Sequence, residues 1–270
     1  MDIESKYKEL KEILAKIDRP LLAFSGGVDS TFLAGVAAEM GLDFKAITIN
    51  SPFLPEKEIE EAVELARKLN IDHEIINIEF EQLGKALENS PERCYHCKKM
   101  IFSKIKNYAM AESRTVIEGT NQDDQGDYRP GMRALKELKI KSPLFDAGLR
   151  KSEIRELSAS LDLPTWDKPS LSCLATRVAY GLEITEDKLS RIEEAEEYLV
   201  QLGFKQYRVR DHNNLARIEV LPEEREKLFD LELLDNLNDR LKNLGFDHVT
   251  FDLGGYQSGS MNQSLEVEDE

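Results

Sequence analysis

The sequence predicts an α/β protein, with a parallel-sheet domain followed by a smaller α+β domain. Three observations carry that expectation. Short apolar runs alternate with helical periods over most of the 270 residues, the pattern of a parallel sheet whose crossovers are helices. One strand-to-helix junction reads Ser25-Gly26-Gly27-Val28-Asp29-Ser30, a glycine turn of the kind found at the carboxyl end of a strand. After about Gly181 the alternation stops, which sets expected domains of residues 1–180 and 181–270.

Residues 4–17 place Tyr7, Leu10, Leu14 and Ile17 at helical spacing, and residues 21–24 form an apolar strand that ends at the glycines. A helix-compatible run over 31–40 follows, then a strand over 44–49 and a helix over 55–69 with Ile59, Val63, Ala66 and Leu69 on one face. The periodicity continues as a strand over 73–78, a helix over 93–109 and a strand over 115–118. Beyond Gly181 it predicts a charged helix over 185–202, antiparallel strands over 205–210 and 215–221, one or two helices within 222–244 and a strand over 248–253. The segment ending Glu266-Val267-Glu268-Asp269-Glu270 reads as a mobile acidic tail.

Backbone N–H groups at Gly26 and Gly27 can approach a phosphate closely, Ser25 and Ser30 add hydroxyl donors, and the following helix adds its dipole. The spacing is neither GxxxxGK[ST] nor GxGxxG, so the two commonest phosphate loops are excluded. Charge narrows the partner. Lys+Arg 36 against Asp+Glu 52 gives a formal −16, which opposes a polyanion such as tRNA and favours a small molecule. No run approaches the roughly 18 apolar residues of a membrane span, so a cytoplasmic protein is expected. Three cysteines in a reducing compartment argue for chemistry or metal binding rather than a disulfide framework.

Cys94 and Cys97 are spaced to reach one metal or cluster, and Cys173 is the remaining thiol. A structural zinc pair is the alternative, and it needs His96, His73, His212 or His248 to complete four ligands. Three cysteines suit a [4Fe–4S] cluster with one open iron. Residues 118–131 gather Asp123, Asp124 and Asp127 beside a strand end, where one or two carboxylates would hold Mg²⁺, against a helix-capping reading of the same side chains. Glu118 is an ATP-contact candidate, with Gly119 beside it at the strand end. Arg208 and Arg210 share a face of one strand, and Arg217 and Glu219 share a face of the next, as a phosphate or carboxylate clamp would. Of the glutamates over 185–202, Glu196 is the one possible exception to a solvated face.

Taken together, SGGVDS, EGTNQDDQGDYRPG, PSLSCLATRVAYG, RVRDHNNLARIEV and GGYQSGSMN resemble the LarE family of ATP-dependent sulfur transferases, over about residues 19–262. SGGxDS is the PP-loop of ATP pyrophosphatases, so the resemblance implies an adenine nucleotide alpha hydrolase-like fold and cleavage of ATP to AMP and pyrophosphate. It further implies a pyridinium biscarboxylate mononucleotide as substrate, on the way to a nickel-pincer nucleotide cofactor. Ser25, Gly26, Gly27, Asp29, Ser30, Glu118 and Gly119 would bind ATP, with Asp123 or Asp124 on Mg²⁺. Cys94, Cys97 and Cys173 would hold the [4Fe–4S] cluster that carries sulfide, and Arg177 would stabilise the adenylate. Arg208, Arg210 and Glu219 match positions associated with the substrate phosphate or a metal, as Glu196 does more loosely. Gln257 stands where family members often carry arginine. The family resemblance also implies a homo-oligomer and an external sulfide donor.

Other family members spend the cysteine at the position of Cys173 as the sulfur source, leaving dehydroalanine. Amidation or tRNA thiolation on the same loop is a second alternative, opposed by the missing glutaminase-like segment and the acidic charge. A zinc-stabilised nucleotide-binding regulator is a third, and it leaves the carboxylates and arginines idle.

Overall fold

A computed structural model describes residues 2–125, 130–169 and 172–257. The chain forms two compact units, one of residues 1–84 and 94–171 and the other of residues 85–93 and 172–270.

The first unit is built on four strands, β1 (Pro20–Ala23), β2 (Lys45–Asn50), β3 (His73–Asn77) and β4 (Thr115–Ile117), in the order β3-β2-β1-β4. Every neighbouring pair is parallel, with Leu22 opposite Ala46 on one side and Ile117 on the other. Parallel neighbours need crossovers, and helices supply them. α1 (Ile3–Ala15), α2 (Val28–Glu39), α3 (Glu56–Lys68), α4 (Arg93–Ala111, in this unit from Cys94 onward), α5 (Pro130–Leu138), α6 (Pro143–Asp146) and α7 (Lys151–Ser160) complete the unit's helices among the described residues.

The period of two in β1 divides the core. Leu22 and Phe24 join Leu10, Leu14, Phe32, Leu33, Ala62 and Ile154 on one face of the sheet. Leu21 joins Ile47, Phe102, Ile105, Val116 and Leu135 on the other. A strand buried on both faces reads as the continuous apolar run found at residues 21–24. α2 is likewise buried around most of its circumference, from Val28 through Phe32 to Ala37, and so lacks a polar face in sequence.

The second unit carries a three-stranded sheet, β5 (Tyr207–His212), β6 (Leu215–Val220) and β7 (His248–Phe251), with β5 antiparallel and β7 parallel to β6. Val209 lies opposite Ile218 and packs toward α8 (Glu186–Gln201), whose buried stripe is Leu189, Ile192, Ala195 and Leu199. Arg208, Arg210, Arg217 and Glu219 occupy the other face, because Arg208 pairs with Glu219 and Arg210 with Arg217. α9 (Leu231–Asn243) follows a 3₁₀ segment, Pro222–Phe229, and is capped by Asp230, which accepts from the Leu233 N–H at 3.0 Å.

The α/β class and its parallel sheet are as the sequence predicts. Asp127, the GSMN segment and the acidic end lie outside the described residues. Among the described residues no helix is long and apolar enough to cross a membrane.

Truncation of Leu22, which is fully buried, is expected to lower stability by about 2–5 kcal/mol in urea unfolding. Met110→Ala, at a side chain 70% exposed, is expected to stay within about 0.5 kcal/mol of the parent.

Candidate functional site

β1 delivers Phe24 to Gly27 at the carboxyl end of the sheet, where the chain turns into α2. Gly26 holds φ +65°, and a Cβ there would stand 3.0 Å from the Ala62 Cα of α3. Only glycine meets both demands. Thr48 on β2 steadies the approach, its hydroxyl donating to the Phe24 carbonyl at 2.7 Å. Within the turn the Ser25 N–H donates to Ser30 Oγ at 3.2 Å, and the Ser30 hydroxyl donates to the Gly27 carbonyl at 3.2 Å. Gly27 is the N-cap of α2 and offers no side chain, so α2 begins without the side-chain cap that normally occupies its first N–H groups. An uncapped helix start behind a glycine turn has the donors and the dipole that an anion needs.

Gly119 closes the other side. A Cβ at this position would stand 3.1 Å from Asp29 Cβ and 3.2 Å from the Ser30 nitrogen, so the end of β4 rests directly on the first turn of α2. Glu118 is buried beside it and accepts from the Thr120 N–H at 3.0 Å, the Thr120 hydroxyl at 2.7 Å and the Ser142 hydroxyl. Both its oxygens are thereby occupied in holding the strand end.

Asp29, in the first turn of α2, pairs with Lys151 Nζ at 2.5 Å and accepts from Asn121 at 3.4 Å. Burial nevertheless pushes its carboxyl above the usual carboxylate range, with Asp124 adding to the rise and Lys151 opposing it. Asp124 accepts from the Asn121 N–H at 2.9 Å, and Asp123 accepts from the Lys151 N–H at 2.8 Å. Asp123 is exposed and caps the start of α7, whereas Asp124 lines the cavity.

That cavity, about 340 Å³, is lined by a polar set and an apolar set of residues. Ser25, Gly27, Asp29, Ser30, Gly119, Thr120 and Asp124 form the first, and Ile47, Ile49, Leu54, Ile59, Ile101, Phe102 and Ile105 the second. A nucleotide matches this division, with phosphates at the glycine turn and a flat base against the apolar residues. Lys98, also lining it, was not anticipated from sequence. Its signal is the helical offset from Cys94, four residues earlier on α4. Lys151 and Lys168 were missed as well. Lys168 donates to the Gly26 carbonyl at 3.3 Å and pairs with Glu61 at 3.0 Å.

In the second unit Arg208, Arg210 and Glu219 lie on one buried sheet face, as their alternation predicts. Glu219 is held by Arg210 at 2.8 Å and Arg217 at 3.0 Å, and Arg217 also pairs with Asp252 at 2.7 Å. Arg208 differs. It is 4% exposed, donates to the Tyr207 carbonyl and to Ser172 Oγ at 3.5 Å, and lies over the Tyr256 ring at 5.2 Å, with no salt bridge among the described residues. Burial and the charge of Arg177 lower its pKa. The Glu196 carboxylate opposes that fall without forming an ion pair with Arg208 among the described residues.

Glu196 is buried on α8, unlike exposed Glu194 and Glu197, and accepts from Arg177 Nη2 at 2.9 Å and from the Val209 N–H at 3.0 Å. Arg177 also donates to the Ser172 and Cys173 carbonyls, the latter at 2.8 Å. Cys173 is the N-cap of the short 3₁₀ turn Leu174–Arg177, while Cys94 and Cys97 lie one turn apart at the start of α4. All three are half-buried and none forms a disulfide. No group of three His, Cys, Asp or Glu side chains stands assembled for a metal among the described residues.

The family model for queuosine biosynthesis protein QueC matches residues 19–92. An uncharacterized protein of Synechocystis is 43% identical over 265 residues, covering 97% of this chain and 99% of the relative. The pyridinium-3,5-bisthiocarboxylic acid mononucleotide synthase of Lactiplantibacillus plantarum is 36% identical over 266 residues, 97% of this chain and 96% of that one. An uncharacterized protein of Methanocaldococcus jannaschii is 33% identical over 258 residues, 95% of each chain.

The Asp29–Lys151 pair predicts a pH signature. A carboxyl raised on folding contributes stability below its unfolded pKa and loses it as pH rises through the folded value. Lys151→Met removes a partner that lowers the Asp29 pKa, so the variant's deficit in urea unfolding is expected to grow with pH, reaching about 1.5–3 kcal/mol once Asp29 is ionised. A deficit independent of pH would contradict the pairing.

Proposed function

Because the chain belongs to the LarE family of PP-loop sulfur transferases, we propose that it uses ATP to convert a carboxylate of a pyridinium mononucleotide into a thiocarboxylate, a step in building a nickel-pincer nucleotide cofactor. The observation that carries this reading is the uncapped start of α2 behind Gly26 and Gly27, closed by Gly119. A carboxylate is a poor electrophile. Its oxygen attacks the α-phosphorus of ATP, the bond to the β-phosphate breaks, pyrophosphate leaves, and an acyl-adenylate forms. A sulfur nucleophile then adds to the acyl carbon, the carbon–oxygen bond breaks, and AMP departs with the original carboxylate oxygen.

Each residue has a part in this sequence. The N–H groups at Gly27 and the first turn of α2, with the Ser25 and Ser30 hydroxyls, bind the pyrophosphate portion and stabilise its charge as it leaves. Lys98 contributes a cation to the same cavity. Glu118 and Gly119 hold the strand end against α2. Asp29 and Asp124 are the carboxylates that fit Mg²⁺, which when bound supplies positive charge to the phosphate oxygens. Arg208 and Arg210, with Glu219 fixing the latter, bind the phosphate of the mononucleotide.

The donor chemistry of Cys94, Cys97 and Cys173 fits a [4Fe–4S] cluster, since all three are thiols outside any disulfide and two share one helical turn. That cluster, when bound, supplies a sulfide kept nucleophilic at neutral pH. The cysteines are then ligands rather than consumed sulfur sources, and Arg177 pins the Cys173 backbone. A sulfide donor and a cytoplasmic homo-oligomer complete the proposal.

Turnover with ATP, Mg²⁺ and the biscarboxylate mononucleotide under anaerobic conditions is expected to release pyrophosphate and AMP. Orthophosphate and ADP would overturn the assignment. Arg208→Ala is expected to raise KM for the mononucleotide by about 10- to 100-fold, with KM for ATP unchanged.

A further inference from the structure

The turn that carries Cys173 is held from two directions inside the second unit. Arg177 grips its start through the Ser172 and Cys173 carbonyls. A different buried pair, used by none of the steps above, grips the rest. Arg93 donates to the Ala175 carbonyl at 2.9 Å and to Asn89 Oδ1. Asn89 in turn donates to the Ala179 carbonyl at 2.8 Å and the Val178 carbonyl at 3.2 Å, and its own carbonyl accepts from the Gly181 N–H at 3.1 Å. The Arg93 guanidinium lies over the Tyr180 ring at 5.0 Å.

Burial makes this arrangement costly unless its bonds are made. Arg93 is 3% exposed and Asn89 fully buried, and Asn89 holds φ +53°, a left-handed conformation that asparagine tolerates better than most residues. Its amide bonds two successive carbonyls, and the arginine bonds a third. Side chains thus hold the carbonyls of Ala175, Val178 and Ala179, beside a single β-bridge from Val178 to Asp211 and the Ala179 N–H bond to the Asp211 carbonyl. Arg93 is also the first residue of α4, immediately before Cys94. One guanidinium therefore bonds the turn that starts at Cys173.

We propose that Arg93 and Asn89 are positioning residues for Cys173, setting the backbone of the turn that carries it. The inference rests on the cluster reading for its consequence, since groups that orient metal ligands govern metal affinity. Its geometric part stands on the carbonyl bonds alone.

The test uses the full chain in two states with three variants, Arg93→Gln, Arg93→Lys and Asn89→Gly, the last keeping the left-handed backbone while removing the amide. In the apoprotein, alkylation of Cys173 by iodoacetamide, followed by peptide mapping, is expected to speed up about fivefold or more in Arg93→Gln and Asn89→Gly, as a loosened buried hydrogen-bond set would allow. After anaerobic reconstitution with iron and sulfide, affinity for iron is expected to fall about tenfold or more in these variants, with loss of the visible absorption of the cluster. Arg93→Lys, which retains a donor, is expected to recover part of both readouts. The rise in melting temperature on adding ATP is expected to persist in every variant.

Cys173 alkylation and iron content unchanged in both Arg93→Gln and Asn89→Gly would overturn the proposal. Loss of the ATP response in Asn89→Gly and Arg93→Lys would also overturn it, by showing a general structural role. A parent protein that takes up no iron would instead overturn the cluster reading, and the alkylation rates would still decide whether the pair positions Cys173.

Discussion

The close approach of three backbone segments at Gly26 and Gly119 is the constraint on which the first unit depends. α3 reaches the glycine turn through Ala62, and the end of β4 reaches the first turn of α2 through Asp29 and Ser30. A side chain at either glycine would separate segments that now stand at contact distance. The close fit leaves the start of α2 without a side-chain cap and open to the cavity. The proposed anion site and the strand packing thus share one geometry, and Glu118 places both oxygens on Thr120 and Ser142 at the end of β4.

The second unit solves a different problem. It holds several buried or half-buried guanidiniums and compensates most of them internally. Arg210 and Arg217 share Glu219, Arg177 has Glu196, and Arg191 has Asp211. Arg93 is compensated by carbonyls and an aromatic face, which makes it a support for backbone. Arg208 has an aromatic face, the Tyr207 carbonyl and Ser172 Oγ but no salt bridge among the described residues, which is the basis for proposing it as the phosphate contact. The division of labour follows from which charges are neutralised internally.

Much of this was legible in sequence, for identifiable physical reasons. β1 and α2 are buried on nearly all sides, so their apolar runs mark them, and the glycines punctuate the junction. The sharing of one face by Arg208, Arg210, Arg217 and Glu219 follows from strand periodicity, whereas Glu196 was set apart by the family resemblance, and the structure buries it between exposed Glu194 and Glu197. The helices α5, α6 and α7 were not separated in sequence. α6 has only four residues, and α7 begins after Arg150 without a short polar N-cap residue to announce it. Lys98, Lys151 and Lys168 were missed because their roles depend on long-range contacts, such as Lys168 with Gly26 at 142 residues' separation. Asn89 was hidden for the same reason, since its partners lie about 90 residues away in the chain.

The central claim is that a carboxylate oxygen attacks the α-phosphorus of ATP before sulfur arrives. Turnover of mononucleotide labelled with the heavy oxygen isotope in its carboxylates measures this directly, by mass spectrometry of the released AMP. The account predicts one labelled oxygen in AMP for each thiocarboxylate formed. Label found in pyrophosphate or orthophosphate, with unlabelled AMP, would contradict it.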